Sequence, residues 1–189
     1  MPDDAATWRF LHDRQQISDC LARLARGEDR RDAALISASF WPDATTDYGI
    51  FAGDFAAYLA WVVPGSDAIA VTQHILGQSH VVVEGNGARV ETQVSAYHRI
   101  DACKGARDVW LGGRYLDVME QRADEWRIIR RMMVYDWFRD DGPSVDWSQG
   151  LMGMAFSGPD FTGRAQGDVS TAFSRAANRN IRSSTGWDS

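Results

Sequence analysis

The feature that most constrains this chain is a change of hydrophobic period about a third of the way along it. In the first third, Ile17, Cys20, Leu21 and Leu24 recur at i, i+3, i+4 and i+7, the stripe of a helix that buries one face. From Thr72 onward, residues 72–83, 88–101, 109–121 and 126–138 form long runs rich in β-branched and aromatic side chains. The segments between them, Glu84-Gly85-Asn86-Gly87, residues 102–107 and Arg122-Ala123-Asp124-Glu125, are short enough to be hairpin connections. Helices followed by an antiparallel meander define an α+β plan. The expectation is a cone-shaped, curved antiparallel sheet wrapped around three N-terminal helices, with a pocket inside.

The first helix is predicted over about residues 7–26, closed by Gly27. A second runs through Leu35, Ile36 and Phe40 and is stopped by Trp41-Pro42. A third begins after Gly53-Asp54, with Asp54 as its cap, and carries Phe55, Tyr58, Leu59 and Val62 on one face before Pro64-Gly65. Residues 44–51 read as a short strand. A single domain is therefore expected over residues 1–138. Residues 139–189 are rich in Gly, Ser, Asp and Asn, with spaced apolar positions Trp147, Leu151, Met154, Phe156 and Phe161. They are expected to extend over the domain or a neighbouring subunit of a homo-oligomer, a dimer or trimer, with a short helix over residues 169–177 and a mobile end.

A net charge of −6 with no dense Lys/Arg run excludes the electrostatic footprint of a nucleic-acid binder. Cys20 and Cys103 have neither metal-ligand spacing nor the density of a disulfide framework, which makes a reducing compartment the default. Met1-Pro2-Asp3-Asp4 is acidic where a signal peptide is basic, and no apolar run has membrane-spanning length, so a cytoplasmic protein without a membrane partner is expected. Aromatic residues make up 11% of the chain and include eight Trp, more area than a core this small needs, which leaves some to line a pocket.

The candidate chemistry lies in Asp29 and His74. A carboxylate that holds one imidazole nitrogen leaves the other free to move a proton near neutral pH. A strand histidine on its own is more often a satisfied core residue, and His80 and His98, without such a partner, read as structural or surface. Arg130 and Arg131 are adjacent on a strand and point to opposite faces. Parity groups Arg131 with Met133, Tyr135 and Trp137, so Arg131 is either a substrate clamp or half of an ion pair with Asp29 or Asp136. The candidate substrate-binding aromatics are Tyr48, Tyr58, Trp41, Trp61, Tyr97, Tyr115 and Tyr135. Packing alone accounts for Tyr48 and Tyr58 nearly as well, Trp41 and Trp61 fit a core role, and the face of Tyr97 is not fixed. There is no His/Cys/carboxylate cluster for a metal, no phosphate loop and no nucleophile elbow, so the expected chemistry needs no cofactor.

In order along the chain, Ile17-Ser18-Asp19, Gly27-Glu28-Asp29-Arg30-Arg31, Phe40-Trp41-Pro42-Asp43-Ala44, Asp47-Tyr48-Gly49, Phe51-Ala52-Gly53, Thr72-Gln73-His74, Gly112-Gly113-Arg114-Tyr115, Glu125-Trp126-Arg127-Ile128 and Asp136-Trp137 resemble the SnoaL-like branch of the nuclear transport factor 2-like superfamily. That branch includes polyketide cyclases, scytalone dehydratase and hexachlorocyclohexane dehydrochlorinases, and the likeness covers roughly residues 8–138. It implies a catalytic dyad of Asp29 and His74 supported by Arg131. A lysine found on the first helix of some dehydrochlorinases has no match in Leu21-Ala22-Arg23-Leu24. The implied activity is a cofactor-independent lyase acting on a small aromatic substrate, most specifically a lignin-derived diarylpropane diol. The alternatives are a dehydratase or dehydrohalogenase of the same plan, and a non-catalytic ligand carrier or assembly subunit.

Overall fold

The computed structural model describes residues 4–102, 105–156 and 168–170. The chain divides into two units, Met1–Ser144 and Val145–Ser189. The first holds α1 (Asp4–Arg30), α2 (Ala33–Ser37), β1 (Phe40–Asp47), β2 (Ala52–Asp54), α3 (Phe55–Val62), β3 (Ile69–Glu84), β4 (Gly87–Ala102), β5 (Gly105–Arg122) and β6 (Glu125–Pro143). The strands make one sheet in the order β2-β1-β6-β5-β4-β3. Helices followed by a curved six-stranded sheet give the expected α+β class. The sheet is mixed rather than wholly antiparallel. β3 to β6 form the meander, but β1 lies parallel to β6, with Phe40 opposite Ile128 and Thr46 opposite Arg131.

The helical stripe packs as its period demands. Ile17, Cys20, Leu21 and Leu24 are buried, and with Ile36, Phe40, Met119, Trp126 and Ile128 they form the core between α1 and the sheet. Each large apolar side chain so buried contributes about 1.5–3 kcal/mol. α1 does not stop at Gly27. A Cβ there would lie 2.9 Å from Ile36 Cγ1, so the glycine admits the close approach of α2. The helix ends at Arg31, which takes φ 51°, while Arg31 N–H donates to Glu28 O at 3.2 Å and Asp32 N–H to Gly27 O at 2.8 Å. That is the paired-bond ending normally built on glycine. Its consequence is that Glu28 and Asp29 occupy the last helical turn.

Phe40 is the first residue of β1 and not the end of α2. Asp32 caps α2 by accepting from Ala34 and Leu35 N–H, and the chain leaves the helix at Ala38. Asp54 caps α3 through Ala57 N–H at 2.8 Å, as its position predicts. On β6 the register shifts: Gly112 faces Trp137 while Gly113 faces Tyr135, which leaves Asp136 as an extra residue. This bulge breaks the expected parity. Tyr135, though exposed, borders the cavity that His74 lines, whereas Trp137 lines a separate groove with Ile75, Gln93 and Arg114.

In the second unit, Trp147–Gln149 form a single 3-10 turn capped by Asp146, Leu151 bridges to Met154, and the Trp147 and Phe156 ring centroids are 5.9 Å apart. Val169 and Ser170 are helical. The rest of the helix expected over 169–177, Phe161, Cys103 and the expected mobile end lie outside the described residues. Among the described residues no helix is long and apolar enough to cross a membrane.

Candidate active site

The last turn of α1 and the start of β3 bring Asp29 against His74. The Asp29 carboxylate accepts the His74 backbone N–H at 2.9 and 3.1 Å and stands 2.7 Å from Nδ1. Three contacts to one carboxylate fix both the strand and the ring, and they favour the tautomer with the proton on Nδ1, leaving Nε2 as the lone-pair nitrogen. Burial lowers the proton affinity of the ring. The Asp29 hydrogen bond and the Glu28 and Asp29 charges outweigh it, so the His74 pKa lies above the usual histidine value.

His74 lines a cavity of about 210 Å³ whose wall includes the aromatic side chains of Tyr48, Tyr58, Trp61, Tyr115 and Tyr135 beside the aliphatic Leu111, Met133 and Ile69. A cavity of about 150 Å³ lined by apolar side chains holds benzene, so this one suits a substituted aromatic ring. Tyr48, which follows β1, stacks on Tyr58 of α3 with ring centroids 5.4 Å apart and planes 3° apart. Tyr135 O–H donates to Tyr48 O at 2.9 Å and ties β6 to that turn.

The residue that sequence reasoning missed as a site group is Glu28. Its side chain is 5% exposed and lines the cavity, and its Oε2 stands 4.0 Å from His74 Nε2. Tyr58 O–H donates to Glu28 Oε1, and Tyr48 O–H lies 3.0 Å from the same oxygen and 3.1 Å from the Tyr58 hydroxyl. Burial first, and then the Glu28 charge, push both phenols well above the ordinary tyrosine range, so they remain proton donors. No local signal marked it, because Gly27 just before it reads as a helix stop and so hides that Glu28 lies in the last helical turn.

Of the two adjacent arginines, whose faces the sequence left open, Arg131 is buried and Arg130 is exposed. The partner of Arg131 is neither Asp29 nor Asp136. The sheet register sets Arg131 opposite Asp117, and the two make a bidentate pair at 2.8 and 2.8 Å, with the side chains 2% and 0% exposed. Arg131 Cζ lies 3.9 Å over the Tyr115 ring. The guanidinium thus backs a cavity-wall tyrosine and does not form part of the lining itself. Burial works against its charge, but Asp117 outweighs this and holds Arg131 firmly ionised.

Trp41 and Tyr97 are not among the lining residues. Trp41 donates to Glu120 O at 3.0 Å and lies between the Arg122 and Arg127 guanidiniums, and Tyr97 donates to Asp108 at 2.7 Å beside Trp110. His98, read as structural or surface, instead lines the cavity, its ring centroid 6.2 Å from that of His74. Burial and then the neighbouring His74 push it down to about 4, so it is neutral at pH 7. His80 is exposed. Among the described residues no group of three or more His, Cys, Asp or Glu is arranged to hold a metal ion.

Several solved structures share this fold. A Novosphingobium aromaticivorans protein provisionally described as a scytalone dehydratase superposes with TM-score 0.63 at 20% identity, covering 71% of this chain and 91% of its own. A hexachlorocyclohexane dehydrochlorinase from Novosphingobium barchaimii gives 0.61 at 17% identity, with 79% and 97% covered. A nuclear transport factor 2-like protein with a cystatin-like fold, also from Novosphingobium aromaticivorans, gives 0.58 at 26% identity, with 71% and 91% covered. No match is found among curated proteins. The SnoaL-like domain model matches residues 9–132, most of the described α+β unit, and the chain therefore belongs to the SnoaL-like domain family.

Proposed function

We propose that this protein is a cofactor-independent lyase that eliminates water from a small aromatic alcohol, with His74 as the general acid/base and Asp29 as the group that fixes its tautomer. The observation that carries this reading is the 2.7 Å contact between Asp29 and His74 Nδ1 on the wall of an aromatic cavity. In the step envisaged, Nε2 takes the proton of a C–H bond next to the carbinol carbon. The C–H electron pair becomes the new C=C bond, the C–O bond breaks with its pair on oxygen, and the imidazolium returns its proton to that oxygen as water. Asp29 stabilises the imidazolium in between. Arg131 acts from behind, holding Tyr115 in place through Asp117 and its own stacking contact.

Within this class, the finer reading is a lignin-derived diarylpropane diol. Its para-phenol would give up its proton, the phenolate electrons would push out the benzylic hydroxyl, and that hydroxyl would take up a proton from His74 and leave as water, giving a quinone methide. Loss of the terminal hydroxyl proton would then expel formaldehyde, the broken C–C pair closing the alkene of a stilbene. The Tyr48, Tyr58 and Tyr135 phenol oxygens, whose own protons are engaged by Glu28 and Tyr48 O, support the recognition of substrate hydroxyls as hydrogen-bond acceptors. A cavity of about 210 Å³ seats one ring, leaving a second ring at the mouth near Ile50 and Arg31.

The test is to incubate the protein, treated with strong chelator and dialysed free of nucleotides, with aromatic alcohols, diols and halides while recording the ultraviolet absorption of a conjugated alkene. Alkene formation from an alcohol or diol without added metal or nucleotide is expected. Full dependence on an added metal, or no alkene from any compound of the panel, overturns the reading.

A further inference from the structure

Among the described residues, two buried side-chain atoms of this cavity's lining lack a hydrogen-bond partner, His98 Nδ1 and Glu28 Oε2, and only the second belongs to a carboxylate. Glu28 Oε1 is served by Tyr58 and Tyr48, but Glu28 Oε2 is buried and has no hydrogen-bond partner among the described residues. A buried carboxylate oxygen left without a donor is costly, because it has given up water and received nothing in return. The Nε2 of His74 stands 4.0 Å from it, beyond hydrogen-bond reach. An oxygen held about 2.8 Å from each of two atoms at a tetrahedral angle spans about 4.6 Å, so a shift of roughly half an ångström admits one hydroxyl between them.

We propose that Glu28 is the specificity-determining residue of this cavity, its Oε2 and His74 Nε2 together receiving one substrate hydroxyl. Glu28 accepts the hydroxyl's proton in a charge-assisted hydrogen bond, and in the imidazolium form of His74 the Nε2–H donates to the same oxygen. This deepens the lyase reading and rests on it for the identity of the bound group as the one that leaves. The chemistry discriminates between leaving groups. A hydroxyl has a proton to offer Oε2 and departs as neutral water once His74 protonates it. A halide has no proton to give and gathers negative charge as it departs, directly beside a carboxylate. The hydrogen bonds from Tyr58 and Tyr48 hold Glu28 in this position.

The test uses equilibrium binding to the full chain of three probes that cannot form an alkene: benzyl alcohol, toluene and benzyl methyl ether. Occupancy is followed through the ring resonances of His74. The wild-type protein is expected to bind the alcohol at least about tenfold more tightly than toluene or the ether, the worth of one charge-assisted hydrogen bond. Glu28→Gln is expected to remove most of that preference while leaving toluene binding unchanged. Equal binding of the three probes by the wild type, no response at His74, or an undiminished preference in Glu28→Gln each overturns the proposal. If Glu28→Gln does not fold, the comparison of probes on the wild type decides alone. Because these probes are not turned over, a hydroxyl preference that survives in a protein without alkene-forming activity sinks the lyase reading and leaves the subsite standing.

Discussion

At His74 two consecutive carboxylates meet one imidazole, Asp29 at Nδ1 and Glu28 on the side of Nε2. Both favour the imidazolium and raise the pKa of the ring despite its burial. A base must be unprotonated to take a proton, so a raised pKa moves the acid limb of kcat to higher pH. The limb is expected above 6.5 in the wild type and at lower pH in Asp29→Asn, as followed by turnover against pH, with no limb assignable to His98, which titrates near 4. The sign for stability follows from the same shift. The folded protein binds this proton more tightly than the unfolded chain, so the contribution is fully present below about 6.5 and is lost as pH rises through the folded-state value. An acid limb that does not move in Asp29→Asn would remove Asp29 from control of the proton.

Among the elements, the ending of α1 has the largest effect on the site. Had the helix closed at Gly27, Glu28 and Asp29 would have left the helix before reaching β3. Instead Gly27 lets α2 pass close, and the turn at Arg31 delivers both acids to His74. Gly27→Ala is expected to force its Cβ against Ile36 and to cost about 1–3 kcal/mol, read as a lowered midpoint of thermal unfolding. An unchanged midpoint would show that α2 moves freely. These details mark the limits of reading the chain directly. The stripe through Ile17 and Leu24, the cap at Asp54 and the four long strands were legible because each depends on local periodicity or local hydrogen bonding. The pairing of β1 with β6, the bulge at Asp136 that turns Trp137 outward and the pairing of Arg131 with Asp117 were not, because each depends on cross-strand register between distant segments. For the site, Asp29 and His74 were legible through the family resemblance. Glu28 was hidden because a glycine just before it read as a helix stop. Trp41 and Tyr97 had no local mark of which face they would take.

For the whole molecule, the α+β unit is built from its own core, and the residues after Ser144 are compositionally different. The proposal that this second segment covers apolar surface in a homo-oligomer makes a direct forecast. Removing residues 145–189 is expected to reduce solubility or change the assembly size measured by light scattering, and a soluble truncated protein of unchanged size would make the segment a passive appendage. In the lyase proposed here, turnover depends on one nitrogen, His74 Nε2, being able to take up and return a proton. That claim is tested most directly by comparing turnover of wild type and His74→Ala on whichever aromatic alcohol yields alkene, at equal concentrations of folded protein verified by circular dichroism. A loss of at least about 10²-fold with unfolding behaviour nearly unchanged is the expected result. A variant that keeps normal turnover per folded molecule would contradict the account.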